Sequence, residues 1–336
     1  MTSAIATVWK KSRRWLPGVF ISLVAFFFVA RVTQWQELGP ALRRFSLGYI
    51  GVMVLLTLVF LLIRAGVSRV LLSGRPKLSE AFWAINQGYL LNNILPFRLG
   101  EIGRAVLLGQ QTNLPAAQIL SSIIIERALD IAIAATMLLS TLPLALEMTW
   151  AKPVAIIMLA VVAAGMASLF LMARHHLKVS AWVDKLGIRW KFVGKWVAPQ
   201  VRSLLTGLTA LTDLRQFILA LLLLLASWAI AIGVYYVGLL AIAPTVPIWW
   251  GVFTDAVLAL GIAIPSAPAA LGTFEAATVG ALTILGIDQT TGLAYAITLH
   301  FMQILVTGAL GLFGLVRQGR SISSLFLDLQ NRKSAA

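Results

Sequence analysis

The sequence predicts an all-α polytopic membrane protein with six full transmembrane helices and two re-entrant helical hairpins in an inverted-repeat arrangement. Three observations predict this fold class. Of the 336 residues 60% are hydrophobic and 12% are charged, whereas soluble domains carry about 25% charged residues. Six apolar runs are long enough to cross a bilayer. Two further apolar stretches are interrupted by Gly, Pro and polar residues at matching positions.

The length and the composition also limit the function. Residues 1–336 have room for one membrane domain and for little else. The net charge of +15 would suggest nucleic acid in a soluble protein, but in a membrane chain it reports topology, so we expect no nucleic-acid partner. Zero cysteines exclude disulfides and Cys-ligated metals. Because no P-loop, HExxH or Gly-x-Ser-x-Gly motif occurs either, we expect no catalytic residue, metal or cofactor.

The first half contains three predicted spans and one broken segment. The run 16–32 follows a basic N-terminus without a small-residue cleavage site, which favours a helix over a signal peptide. The second and third spans are predicted at 47–63 and 116–142. The segment 78–115 between them is too polar to cross simply. We expect it to enter from the cytoplasm and return as a hairpin, because irregular backbone in lipid needs protein or water around it.

The second half repeats this order. Spans are predicted at 153–173, 217–243 and 293–316, and the broken apolar segment is 249–285. The loop 174–215 is basic and contains interleaved tryptophans. Part of it is therefore predicted to lie on the lipid surface as an amphipathic helix.

The basic residues orient the chain, since Lys and Arg concentrate in cytoplasmic loops. With both termini in the cytoplasm, most of the 27 Lys and Arg fall inside. A cytoplasmic cluster is predicted after the second span, at Arg64, Arg69, Arg75 and Lys77. The residues predicted to lie outside are Arg31, Arg43, Arg44 and Lys152.

Three crossings in each half give the halves opposite orientations, because an odd number of spans inverts the chain. The predicted repeats are 16–142 and 152–316. Pro96-x-x-Leu99-Gly100 in the first broken segment is echoed by Pro268-x-x-Leu271-Gly272 in the second. Interrupted segments at matching positions of two inverted halves indicate a transporter site between them.

Charged residues cluster in the first broken segment and the third span, where charge is costly and is seldom accidental. On a helix the spacing of Arg98, Glu101 and Arg104 would place them on one side. The functional interpretation is a cleft in which arginines bind an anionic head group and carboxylates orient them. The structural alternative is a set of ion pairs that join the hairpin to the third span, and both can hold. The candidate binding residues are Arg98, Glu101, Arg104, Glu126, Arg127, Asp130 and Glu275.

Other polar residues have structural interpretations. Asn92, Asn93 and Pro96 are predicted to satisfy backbone groups where the first hairpin breaks, and the remaining hairpin positions are Gly100, Pro268 and Gly272. Glu275 is either a ligand or a cap of a half-helix. His300 is predicted to be a hydrogen-bonded core residue rather than a proton relay.

Three motifs resemble the lysylphosphatidylglycerol synthase transmembrane region, also called the flippase-like domain family. They are LPFRLGEIGR at 95–104, ERALD at 126–130 and PAALGTFE at 268–275. The resemblance implies a bacterial inner-membrane protein that moves amphiphilic lipids between leaflets, and it points to the candidate residues named above. The chain ends without the aminoacyltransferase domain, so lysyl transfer is not expected. It also has His300 where many relatives carry an Arg.

The leading hypothesis is therefore a flippase or transporter that binds an anionic or zwitterionic head group in a cationic intramembrane cleft. Its partner would be a phospholipid, an aminoacyl-phospholipid or another lipid-linked head group. The alternatives are an integral-membrane glycosyl- or acyl-transferase that acts on lipid and a lipid-binding subunit that does not transport. The sequence leaves the oligomeric state open, including a homo-oligomer.

Overall fold

The computed structural model describes residues 33–95, 98–146, 174–190, 213–263 and 266–319, with isolated positions in 20–31, 153–171 and 191–198. Within these ranges every regular element is helical. Predicted spans 16–32 and 153–173 lie largely outside the described residues, and so does Pro96.

Ten α-helices and one 3-10 turn, Pro268–Ala270, make up the described part of the chain. In chain order the α-helices are α1 (Trp35–Leu42), α2 (Leu47–Leu71), α3 (Leu78–Ile94), α4 (Gly100–Thr112), α5 (Ala116–Ala145), α6 (His176–Arg189), α7 (Leu214–Ile242), α8 (Trp249–Gly261), α9 (Thr273–Ile284) and α10 (Gln289–Arg317). Among them α2, α5, α7 and α10 are long and apolar enough to cross a membrane. The all-α membrane fold predicted from the sequence is thereby confirmed.

Local sequence explains where several helices begin and end. Asp213 and Asp288 precede α7 and α10, and their carboxylates accept hydrogen bonds from the backbone N–H groups of Arg215 and Thr291. These bonds satisfy N–H groups that have no partner within the helix. At its C-terminus α4 stops at Asn113, which adopts left-handed backbone (φ 55°).

Two pairs of shorter helices lie within the predicted broken segments. Residues 95–99 separate α3 from α4, and residues 262–272 separate α8 from α9. Both breaks contain left-handed backbone, at Arg98 (φ 53°) and at Gly272 (φ 83°). The sequence thus located both interruptions, because Gly tolerates such backbone and Pro ends helices by removing a hydrogen-bond donor.

The packing of the helices follows one pattern in both halves. The first short helix of each pair packs against the last long helix of the other half, so α3 contacts α10 and α8 contacts α5. Within each pair α3 contacts α4 and α8 contacts α9, while α2 and α7 pack against each other. Each of these contacts in one half therefore has an equivalent contact in the other half.

The largest apolar core lies where α2, α7, α8, α9 and α10 meet. Its centre includes Met53, Tyr235, Phe253, Phe274 and Tyr295. A second cluster joins α2, α5 and α7, and Val179 of α6 packs against it. The basic loop therefore contains a docked helix.

The helix α6 is amphipathic. Val183 is buried, whereas Leu177, Trp182 and Ile188 are exposed. Exposed apolar and aromatic side chains beside basic ones are typical of helices that contact a membrane surface. The sequence did not predict α1, which contains Pro40 and packs against α10.

Gly311 brings α10 close to α3 and gives the first prediction. A Cβ at this position would lie 2.5 Å from the carbonyl oxygen of Asn86 and 2.6 Å from Cβ of Leu90. We expect Gly311→Val to destabilise the protein by about 1–3 kcal/mol through overpacking. Gly308→Val on the same helix is the matched control, since a Cβ there meets nothing within 4 Å. Thermal unfolding in detergent measures both variants, and equal losses would contradict this packing.

Candidate functional site

A buried guanidinium on α2 forms the centre of the charged cluster. Arg64 donates to both carboxylate oxygens of Asp130 at 2.7 Å, and it also donates to Glu126. Arg64 is 3% exposed and Glu126 is 1% exposed. Two parallel hydrogen bonds from one guanidinium are the strongest geometry for such a pair.

The cluster extends to α4, α5 and α7. Arg104 of α4 donates to Glu126 at 3.1 Å, and the indole N–H of Trp228 donates to Asp130 at 3.1 Å. Arg127 lies 3.3 Å from Glu101 and 3.3 Å from Asp130. Its side chain is 27% exposed, so it borders the surface of the cluster rather than its interior.

The prediction that Arg64 follows the end of the second span was wrong. The sequence argument ended the second span at Ile63, but α2 continues to Leu71 and buries Arg64 among carboxylates. Sequence reasoning also missed Trp228. A signal for Arg64 was present, since the apolar run Ala65-Gly66-Val67 follows it and continues the helix.

The common helix face expected for Arg98, Glu101 and Arg104 was also wrong. The helix α4 begins at Gly100, and Arg98 precedes it in left-handed backbone. Instead Arg98 reaches the second half, where it donates to the carbonyl oxygen of Ile262 at 2.9 Å. That carbonyl group lies just past the end of α8.

The charges in the described part of the cluster do not cancel. Glu101, Glu126 and Asp130 make ion pairs with Arg64, Arg104 and Arg127. Arg98 has no ion pair with a described carboxylate, and its bond goes to a carbonyl oxygen. The arginines thus exceed these three carboxylates by one positive charge, which is on Arg98.

The first hairpin is held by its asparagines. The side-chain oxygen of Asn92 accepts a hydrogen bond from the N–H of Gly100 at 2.8 Å, which connects the two sides of the break. Asn93 donates to the hydroxyl of Thr307 on α10 at 3.2 Å. At Gly100 a Cβ would collide with the carbonyl oxygen of Gly88, so close approach of α3 and α4 requires glycine there.

The second hairpin is held by Glu275 and His300. The N–H of Gly272 donates to one carboxylate oxygen of Glu275 at 2.7 Å, and the other oxygen lies 2.6 Å from Nδ1 of His300. Nε2 of His300 lies 2.8 Å from the carbonyl oxygen of Ala269, and its ring stacks on Phe274. Pro268 begins the 3-10 turn before these residues. Glu275 therefore caps α9 and fixes the turn to α10.

A cavity of about 430 Å³ lies between the halves. The first half contributes Arg64, Arg98, Arg104, Arg127, Glu101 and Asp130 to its wall. The second half contributes Tyr235, Asp255, His300 and Gln303 together with apolar residues. Ile131 and Ala263 also line the cavity and are exposed, so the cavity opens to the surface beside them.

Among the described residues, no group of three or more His, Asp or Glu side chains is placed to hold a metal ion. The carboxylates of the cluster are held by guanidiniums rather than by one another. The chemistry that this arrangement can perform is the binding of polar or charged groups in a partly apolar cavity.

The family described as the lysylphosphatidylglycerol synthase TM region matches residues 15–311 of the chain. No curated protein and no solved structure gave a match.

Proposed function

The chain belongs to the lysylphosphatidylglycerol synthase transmembrane-region family, whose members are membrane proteins that act on lipids, and from this premise we propose that it is a lipid translocase. In the proposed transport cycle a lipid head group enters the cavity while the acyl chains stay in the bilayer. The head group then leaves toward the other leaflet.

The position of the cavity opening and the residues that line the cavity support this proposal. Ile131 lies at the middle of α5, a helix long enough to cross the membrane, and its exposed side chain borders the opening. An opening at this depth faces lipid rather than water. A cavity that is partly polar and has an apolar mouth suits an amphiphile, because each part of the molecule meets a matching surface.

The cavity also has suitable chemistry for a phosphate. Arg98 has a carbonyl oxygen as its only described hydrogen-bond partner, and Arg127 is partly exposed at the edge of the cluster. A guanidinium can donate two parallel hydrogen bonds to a phosphate. We therefore infer that an anionic or zwitterionic head group contacts Arg98 first and Arg127 second.

We further propose that the two halves are inverted repeats with re-entrant hairpins. The exchange symmetry of the helix contacts supports a repeat. If 16–32 and 153–173 are spans, each half crosses three times and the second half is inverted. The hairpins α3–α4 and α8–α9 would then enter from opposite sides and meet at the cavity, as in transporters with inverted repeats. This arrangement keeps both termini in the cytoplasm of a bacterial inner-membrane protein.

The proposed function is tested by reconstituting the protein in liposomes with a labelled phospholipid. We expect labelled lipid to change leaflet faster than in empty liposomes. Ala231→Trp, which fills part of the cavity, should slow the movement, whereas Ala229→Trp on the exposed side of the same helix should not. Movement no faster than in empty vesicles would overturn the proposal. Lipid that binds without moving would instead favour a binding subunit.

The transferase alternative has less support from the geometry. It requires Glu101, Glu126 or Asp130 as a base or metal ligand. Glu126 and Asp130 accept hydrogen bonds from Arg64, and Glu101 is ion-paired with Arg127 at 3.3 Å. Ion-paired carboxylates are poor bases because the pair stabilises their ionised form. Translocation requires no such base, and we therefore propose no enzymatic step.

A further inference from the structure

Asp255 is a buried carboxyl group that has no role in the translocation proposed above. It is the ionisable residue of the apolar helix α8, it is 5% exposed, and it lines the cavity. Its Oδ2 atom has no hydrogen-bond partner among the described residues. Ionisable residues inside membrane proteins mark pathways of substrates, ions or protons far more often than they occur by accident.

Among the residues that the structure describes, the groups that face Asp255 do not include a cation that pairs with it. From α5 it faces Asp130, from α7 Tyr235 and from α10 Tyr295. On α9 the carboxylate of Glu275 is engaged by Gly272 and His300.

Arg98 also contacts the end of α8, but it does so far from Asp255. Its partner Ile262 is seven residues beyond Asp255, which is about 10 Å along a helix. A carboxylate buried without a nearby cation is unfavourable, and protonation removes the charge.

The charge balance of the cavity links the protonation of Asp255 to the binding of the lipid. Arg98 supplies one uncompensated positive charge while Asp255 is neutral. An anionic head group can then neutralise that charge. If Asp255 ionises, its negative charge offsets Arg98 and opposes a phosphate in the same cavity. The head group and the proton thus favour each other's binding, and linkage makes the effect reciprocal.

We propose that Asp255 is a proton-binding site and that an anionic lipid is carried together with its proton. This inference rests on the proposed function and adds its coupling ion. The O–H bond of Asp255 forms with a proton from water on the side where the lipid enters. It breaks to release that proton on the other side once the lipid has left, so one proton crosses with each lipid.

The test uses short-chain phosphatidylglycerol and the purified full-length protein in weakly buffered detergent with a pH-sensitive dye. At a pH high enough to ionise Asp255 in the lipid-free protein, we expect wild type to take up protons as the lipid binds. Lipid binding should weaken with rising pH, by up to about tenfold per pH unit once Asp255 ionises. Asp255→Asn mimics the protonated form, so it should bind lipid without proton uptake and without this pH dependence. Glu37→Gln, an exposed acidic position, should behave as wild type.

Infrared spectroscopy gives a readout that does not require lipid. At a lower pH, where Asp255 is protonated without lipid, we expect a carboxylic acid band in wild type that is missing in Asp255→Asn. A missing band in wild type at the lower pH overturns the proposal. At the higher pH, so does lipid binding without proton uptake, uptake that persists in Asp255→Asn, or a requirement for Na⁺ in place of protons. If no lipid binds at all, the proposed function fails, and the infrared band then decides whether Asp255 holds a proton.

Discussion

Replacing Arg64 with leucine is expected to destabilise the protein more than any other substitution considered, by about 3–5 kcal/mol. Arg64 holds both Glu126 and Asp130 in the interior. Without it, Arg104 and Trp228 still donate to these carboxylates and Arg127 remains ion-paired with them, but the most buried and best aligned bonds are lost. Removal of one partner leaves buried charge uncompensated, which costs more than the pair itself contributes. The midpoint of thermal or denaturant unfolding in detergent measures the loss.

Two further variants separate this effect from a general loss of a basic residue. Arg69→Leu changes an exposed arginine on the same helix and should alter stability little. Combining Arg64→Leu with Asp130→Asn should recover part of the loss, because the uncompensated carboxylate is then neutral. Equal midpoints for wild type and Arg64→Leu would contradict the buried cluster.

Substituting Arg98 with alanine is expected to give the largest functional effect. The residue provides the uncompensated positive charge of the described cavity, and a hydrogen bond to a charged group contributes about 1.5–3 kcal/mol. Translocation of an anionic lipid in liposomes should therefore fall at least about tenfold. Stability should change much less than in Arg64→Leu, because the described partner of Arg98 is one carbonyl group.

The controls for Arg98 separate charge from geometry. Arg98→Lys keeps the charge but cannot donate two parallel hydrogen bonds, so we expect intermediate activity. Arg75→Ala removes an exposed arginine outside the cavity and should leave activity unchanged. Full activity in Arg98→Ala would show that head groups do not depend on this guanidinium.

The sequence was informative about elements and much less about their partners. Hydropathy located the four long helices, and Gly and Pro located both interruptions, since these signals are local. Arg64 was misplaced because the rule for basic loops was applied at Ile63, although the apolar sequence continued beyond it. The α1 helix is too short, at eight residues, to give a clear periodic signal.

The site shows the same limit. Glu126, Arg127 and Asp130 are close in sequence, so helical spacing alone brings them together. Arg98 reaches Ile262 and Asp130 reaches Trp228 only because the two halves pack against each other. Spacing within one segment contains no information about such contacts. For the same reason the sequence alone assigns no role to Asp255.

The central claim is that a lipid head group enters the cavity between the halves, and cysteine labelling tests it most directly. The chain contains no cysteine, so single cysteines give an unambiguous signal. Ala231 lines the cavity, whereas Ala229 is exposed two residues earlier on the same helix at nearly the same depth. With a phospholipid that carries a maleimide on its head group, we predict labelling of Ala231→Cys and none of Ala229→Cys. An unlabelled Ala231→Cys that still reacts with a small water-soluble maleimide would contradict the account.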